Sequence, residues 1–231
     1  DTEMAAAGYH IPAGSDPDFA PISLLRFVLG DAPSGRLYKN LVETGKAASV
    51  FSFARSLHDP GMFLVGATVR MESPLDDARD ILVRVTEEAA VNAPTREEVD
   101  RARENALKNW DTVFRNSEWV AILLSEWEAQ GDWRLLVLLR DLSRAVTADD
   151  VARVAKAYLG AENRTVGVYI PTQSPQRAEI PPPPDVGELV RNYKGGEGLA
   201  VGEEFDPSPA AIEARLIRAT LPPGIKLVIL P

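Results

Sequence analysis

The sequence SVFSFARSLHDPGMFLVGATVRM, residues 49–71, contains two stretches in which side-chain character alternates with a period of two residues. This period is typical of β-strands, whose successive side chains point to opposite faces. In the second stretch, from Met62 to Met71, one face carries apolar side chains throughout, namely Phe63, Val65, Ala67 and Val69. Between the stretches, the tetrapeptide His-Asp-Pro-Gly at 58–61 is a strong turn signal. The segment therefore predicts an antiparallel β-hairpin.

The segment before this hairpin predicts one strand and two helices. Residues 4–11 are small and apolar and predict a strand. Apolar residues between Phe19 and Leu29 predict a buried helix that ends at Gly30. A second helix is predicted after Gly35, and it ends near Thr44-Gly45, where a glycine is favourable beyond the last helical residue.

The segment after the hairpin predicts four helices from apolar residues at helical spacing. The first is expected to use Ser73 as its N-cap, with Pro74 at the first helical position. The second begins at a capping box, in which Thr95 and Glu98 satisfy each other's backbone N–H groups. These start signals place both helices directly after the hairpin in the sequence.

The third predicted helix covers residues 119–142 and is broken at Gly131. The fourth is capped by Thr147, and a strand from Thr165 to Ile170 follows it. The resulting order is β-αα-ββ-αααα-β, in which strands and helices are segregated along the chain. Segregation favours an α+β fold with an antiparallel sheet packed against helices over a doubly wound parallel sheet.

The composition changes after Pro171. Eight prolines fall between Pro171 and Pro209, and the apolar periodicity disappears, so residues 172–210 are predicted to be an extended linker. Beyond it, residues 213–219 and 225–230 alternate as strands around a Pro-Pro-Gly turn. The expected organisation is one domain at 1–171, the linker, and the first strands of a further domain at 211–231 that the sequence does not complete.

The overall charge and the absence of cysteine exclude several classes of function. The chain has 34 acidic and 25 basic residues, a net charge of −9, and no cluster of Lys or Arg, so nucleic acid is not an expected partner. No cysteine is present, which excludes disulfides, thiolate metal sites and cysteine nucleophiles. No stretch of the sequence is apolar for long enough to span a bilayer.

A search for catalytic and metal-ligating motifs finds none. The only histidines, His10 and His58, are 48 positions apart, whereas zinc sites draw two ligands at helical spacing. No Gly-x-Ser-x-Gly motif occurs. The adjacent Glu87 and Glu88 point to different faces of a helix and cannot form an acid–base pair. No residue is therefore assigned a catalytic, cofactor-binding or metal-binding role, and packing between helices is expected for Trp110, Trp119, Trp127 and Trp133.

Several segments, in this order, resemble peptidases of the pitrilysin/insulinase family, the inverted zincins. The segment SGRLYKNLVETGKAASV at 34–50 is similar to a helix-to-strand segment of that family, and residues 9–12 and 16–18 resemble what precedes it. Residues 147–171 resemble the closing helix and strand, and LPPGIKLV at 221–228 resembles the start of another domain. The resemblance covers residues 5 to 231.

The resemblance implies a position within a larger protein. Such peptidases contain homologous α+β domains, with the LuxS/mitochondrial-processing-peptidase-like metallohydrolase fold, arranged as two halves around a chamber. Their zinc is bound by His-x-x-Glu-His and a distal Glu in the first domain, and this sequence contains no such motif. The chain would be the second, non-metal-binding domain with the linker between the halves, and zinc would be a cofactor of the full-length protein only.

Two positions allow a closer comparison with the family. Its second half supplies an Arg and, seven positions later, a Tyr that help to bind substrate. The corresponding positions here are Val42 and Ser49, neither of which provides the same hydrogen-bonding groups. The resemblance therefore implies a structural copy of the domain rather than the substrate-assisting one.

The implied function is that of a non-catalytic domain of a zinc metalloendopeptidase that degrades peptides. It would form part of the chamber wall and the interface with the zinc-bearing domain. Its expected partners are that domain, the C-terminal half of the same polypeptide and peptide substrates, and the resemblance admits a homodimer and a periplasmic location. The alternative is a scaffold or interaction subunit that shares the fold and has no peptidase activity.

Overall fold

The structure, a computed structural model, describes residues 2–196 and 205–231. It consists of two compact units, Asp1–Pro175 and Gln176–Pro231. The first unit contains a four-stranded sheet and six helices, and the second contains a two-stranded sheet and two short helices.

The sheet of the first unit is antiparallel throughout. Its strands are β1 (Thr2–Ile11), β2 (Ser49–Arg55), β3 (Gly61–Arg70) and β4 (Arg164–Tyr169), arranged in the order β2-β3-β1-β4. The predicted hairpin is confirmed, because β2 and β3 pair directly with Phe53 opposite Leu64. The predicted strands at the two ends of this domain are also confirmed, and they pair with each other as β1 and β4.

One face of this sheet is covered by helices. The apolar residues predicted on one face of β3 are fully buried, and alternate residues of the neighbouring strand β1, from Ala5 to Ile11, are buried on the same face. The helices of this unit are α1 (Phe19–Gly30), α2 (Leu75–Val91), α3 (Arg96–Phe114), α4 (Ser117–Ala129), α5 (Arg134–Ala145) and α6 (Ala148–Tyr158). Of these, α1, α2 and α6 pack directly on the sheet, and α3, α4 and α5 pack mainly on other helices. The fold class predicted from the sequence is confirmed.

Within the first unit, five α-helices follow the hairpin, where four were predicted. The break expected at Gly131 separates two helices, α4 and α5, because this glycine has a positive φ of 124° that helical residues do not adopt. The helix predicted after Gly35 is a short π-helical segment, Tyr38–Val42. It is followed by Gly45, whose φ is +73°.

The predicted helix caps differ in outcome. Both side-chain and backbone bonds of the Thr95–Glu98 capping box are present, and Thr147 forms a similar box with Asp150. The predicted Ser73 cap is wrong, because α2 begins at Leu75 and its N-cap is Pro74, with no side-chain capping bond. Ser73 therefore lies one position too early to accept from the first turn.

This difference predicts unequal effects of two similar substitutions. Thr95→Ala should reduce the free energy of unfolding by about 1 kcal/mol, since a free N–H group at the start of α3 loses its acceptor. Ser73→Ala should change it by less than about 0.5 kcal/mol. Urea unfolding measures the free energy of unfolding of both variants. An equal decrease in the two variants would contradict the cap assignments.

The second unit contains helices where the sequence predicted none. The predicted linker at 172–210 includes α7 (Val186–Val190), which is capped by Asp185, and its residues 197–204 lie outside the described part of the chain. Residues 213–215, predicted as strand, belong to α8 (Pro209–Arg215), because Ser208 caps a helix with Pro at its first turn. The predicted hairpin is confirmed as β5 (Ile217–Leu221) and β6 (Ile225–Ile229).

Candidate functional site

The two histidines do not contribute to a metal centre. His10 is exposed on β1 opposite Met62, and His58 is exposed in the turn after β2, with its Nδ1 3.4 Å from Asp59 Oδ1. Across residues 2–196 and 205–231, no group of three or more His, Asp or Glu side chains could hold a metal ion. Within the same residues, no helix combines the length and the apolar character needed to cross a membrane.

The two positions compared with the family's substrate-binding pair lie on either side of the Gly45 turn. Val42 is half-buried at the end of the π-helical segment. Ser49 is exposed at the start of β2, opposite Thr68. Neither position therefore carries a cation or a phenol.

A buried tyrosine is part of a polar cluster beneath the sheet. Tyr9 Oη on β1 donates to Glu87 Oε1 on α2 at 3.4 Å, and Glu87 also pairs with Arg164 on β4. Burial, reinforced by the negative charge of Glu87, raises the pKa of Tyr9 well above its usual range. The phenol therefore remains protonated at physiological pH, and the cluster ties α2 to two strands rather than supplying a general base.

A cavity lies between α1, the end of β2 and the helices α3 to α5. Its volume is about 300 Å³, which is at the lower end of the range for pockets that bind small molecules. Its walls are predominantly apolar and include Phe19, Phe27, Ala54, Trp110, Leu123, Trp127 and Leu139. The packing role predicted for the tryptophans fits Trp110 and Trp127, but it is wrong for Trp119 and Trp133, which are 55% and 48% exposed.

Arg26 is the only basic residue among those that line this cavity. Its guanidinium carbon lies 3.9 Å from the centre of the Phe27 ring. Within the described residues, no carboxylate forms a salt bridge with Arg26 and no acceptor forms a hydrogen bond with its side chain. Burial lowers the pKa of this guanidinium, and the charge of the more distant Asp31 opposes that shift. Asp31 is itself bound by Asn105 Nδ2 at 2.6 Å.

A polar groove adjoins the cavity and shares Ala54, Ser56 and Glu126 with it. The groove has a volume of about 390 Å³ and is also lined by Gln130. The Oε1 atom of Gln130 is buried and has no hydrogen-bond partner among the described residues. Buried acceptors without a donor are rare in folded proteins and require an explanation.

The sheet face opposite the helices is apolar and partly exposed. We call it the open face and define it by Met4, Phe51, Phe53, Met62, Leu64 and Tyr169. The two phenylalanine rings stack with centroids 6.3 Å apart, and a side chain at Gly66 would overlap the Phe51 ring. The exposed fractions reach 42% for Met62 and 60% for Tyr169.

Sequence reasoning identified neither the open face nor Arg26 as functional. The signal for the open face was available, since residues 62–65 of β3 are apolar on both faces, a pattern typical of strands that are covered on both sides. Arg26 interrupts an otherwise apolar helix, LLRFVL at 24–29. That signal predicts a buried cation without indicating what surrounds it.

Comparison with known proteins relates this architecture to one family. The family model described as the peptidase M16 inactive domain matches residues 1–106. This range contains β1, α1, the hairpin, α2 and the first half of α3.

Two solved structures from Bordetella are 42% identical to the chain. The inactive peptidase domain of a candidate zinc protease from Bordetella parapertussis matches with a TM-score of 0.71, over 76% of this chain and 96% of that one. A candidate zinc protease from Bordetella pertussis matches with a TM-score of 0.68, over 74% of this chain and 94% of that one.

A longer relative is found among curated proteins. The zinc protease PqqE of Helicobacter pylori is 26% identical over 157 residues, which are 68% of this chain and 35% of that protein. The chain therefore spans about a third of the length of the curated relative that it matches.

Proposed function

The chain belongs to the family of inactive M16 peptidase domains, and we propose that it is the non-catalytic domain of a zinc-dependent endopeptidase that degrades peptides. In this role it forms part of the wall of a substrate chamber and the interface with a zinc-bearing domain of the same polypeptide. Zinc belongs to that other domain. The chain itself contributes surface and packing rather than a reacting group.

The length of the curated relative supports a partner domain. A protein named as a zinc protease is nearly three times as long as the segment that matches this chain. The remaining length is sufficient for at least one further domain of similar size. Hydrolysis by zinc requires about three protein ligands and a bound water, and the described residues of this chain provide no such ligand group.

The open face is the observation that favours an interface role most strongly. A sheet that is covered by helices on one side normally presents polar side chains to water on the other. Here Met4 and Tyr169 are directly opposite each other on β1 and β4, and Phe53 and Leu64 are directly opposite each other on β2 and β3, so all four strands place apolar side chains on this face. Exposed apolar surface on a sheet is typical of interfaces with other domains or proteins.

A paired substitution tests this interface in the full-length protein. Met4→Ser combined with Tyr169→Ser should lower kcat/KM for peptide cleavage by about tenfold or more, because the apolar contact with the neighbouring domain is lost. The free energy of unfolding of the isolated chain should change by less than about 1 kcal/mol, since both side chains are substantially exposed.

Val91→Ser is the matched control for this experiment, because Val91 is 84% exposed and lies outside the open face. It should leave cleavage unchanged. Equal kcat/KM for the paired variant and the Val91 variant would exclude the open face as the functional interface. The same assay distinguishes the two alternatives. Peptide hydrolysis by the full-length protein favours the peptidase role, whereas the scaffold alternative requires the interface and predicts no hydrolysis.

A further inference from the structure

We propose that the cavity at Arg26 and its adjoining groove form a binding site for the C-terminal end of a peptide whose last residue is large and apolar. This site does not depend on the proposed peptidase role of the full-length protein. It follows from three features that the cavity and the groove present together: a half-buried cation without a partner, an apolar compartment and a polar groove with a free carboxylate.

The cation requires an anion. Arg26 is half-buried, and no carboxylate or hydrogen-bond acceptor of the described part of the chain pairs with its guanidinium. Taking a guanidinium partly out of water without such a partner costs free energy. Its contact with the Phe27 ring compensates for only part of that cost. The planar guanidinium forms two parallel hydrogen bonds with a carboxylate, and a carboxylate is therefore the group that best completes this site.

The compartment beside Arg26 requires an apolar group. Its walls include Phe19, Trp110 and Trp127, and a volume of about 300 Å³ suits one large side chain. An inorganic anion would satisfy the guanidinium but would leave these rings in contact with water. The ligand therefore combines a carboxylate with an aromatic or large aliphatic side chain.

The groove requires polar partners, because Arg55, Ser56, His58 and Glu126 line it. Glu126 is exposed between the two compartments, and its carboxylate oxygens have no salt bridge among the described residues. A fatty acid or a simple aryl acid offers no N–H group to these acceptors. A peptide chain offers backbone N–H groups within one or two residues of its terminal carboxylate, so a peptide satisfies all three requirements.

Binding is measurable on the 231-residue chain because Trp110 and Trp127 line the cavity and report occupancy by their fluorescence. The probe is acetyl-Ala-Ala-Phe with a free carboxylate, compared with the same peptide as its C-terminal amide. The free acid should bind about tenfold or more tightly than the amide, because only the acid forms charge-assisted hydrogen bonds with Arg26. Equal affinity of the two peptides would overturn the proposal without requiring any variant.

Two substitutions assign the contacts. Arg26→Met should reduce binding of the free acid about tenfold and leave binding of the amide unchanged, whereas Arg84→Met, which removes an exposed arginine of α2, should affect neither. Glu126→Leu should weaken binding of the peptide relative to binding of 3-phenylpropanoate, which lacks N–H groups. If 3-phenylpropanoate binds as tightly as the peptide acid, the site recognises a simple aryl acid and the peptide assignment is wrong. Circular dichroism of each variant verifies that the fold is retained.

Discussion

Replacing Arg36 with Met is expected to reduce the free energy of unfolding by about 2–3 kcal/mol at pH 7. Arg36 precedes the π-helical segment, and its guanidinium donates to both carboxylate oxygens of Glu98 at 2.8 Å. It also donates to the backbone carbonyl groups of Asn92, at 2.8 Å, and of Ala93. Since one side chain connects the start of the domain to the α2–α3 connection and to the first turn of α3, its loss leaves several acceptors unpaired at once.

The same substitution should change the dependence of stability on pH. Burial by itself would raise the pKa of Glu98, but the hydrogen bonds and charge of Arg36, together with the Thr95 N–H, lower it from 4.5 to about 2. A carboxyl group with a lowered pKa stabilises the folded state fully above its unfolded pKa, and this contribution is lost as the pH falls towards 2. The difference in stability between the natural chain and Arg36→Met should therefore be largest above about pH 4.5 and should narrow between that pH and pH 2.

Urea unfolding at several pH values measures both effects. Arg84→Met is the matched control. Arg84 pairs with Glu88, and both lie on the exposed surface of α2, where such pairs contribute about 0.5 kcal/mol or less. If the free energies of unfolding of Arg36→Met and of the natural chain differ by the same amount from pH 7 to pH 2, the role assigned to Glu98 is contradicted. If Arg36→Met loses no more unfolding free energy than Arg84→Met, the structural role of Arg36 is contradicted.

Local patterns predicted most of the first unit. The hairpin of residues 49–71 and the capping box at Thr95 depend on residues that are near each other in sequence, so the sequence was sufficient to identify them. The Ser73 cap failed because serine followed by proline is compatible with a helix start at either of two adjacent positions. The strand predicted over 213–215 failed because the Ser208 and Pro209 start signal prevailed over a short alternating pattern.

Contacts between distant residues could not be predicted in this way. Arg36 and Glu98 are separated by 62 positions, and nothing in either local pattern indicates the other. The Arg26 cavity requires α1, β2 and three later helices to converge, and its lining residues have individually ordinary patterns. The family resemblance supplied the domain's identity, whereas it carried no information about the cavity or the open face.

The second large effect concerns peptide hydrolysis. The chain alone is expected to cleave a peptide no faster than water does in the presence of zinc, because a catalytic zinc site needs ligands that the described residues do not bring together. A full-length protein that carries the proposed zinc-bearing domain is expected to cleave the peptide about a millionfold faster than water or more, as enzymes do over uncatalysed reactions. A full-length protein without turnover would instead favour the scaffold alternative.

The most direct test of this account is cleavage of an internally quenched fluorescent peptide, with zinc and with a zinc chelator, by the 231-residue chain and by the full-length protein. The account predicts no turnover by the chain under either condition, and turnover by the full-length protein that the chelator abolishes. Turnover by the 231-residue chain alone that requires zinc and disappears with the chelator would contradict the assignment of this domain as non-catalytic.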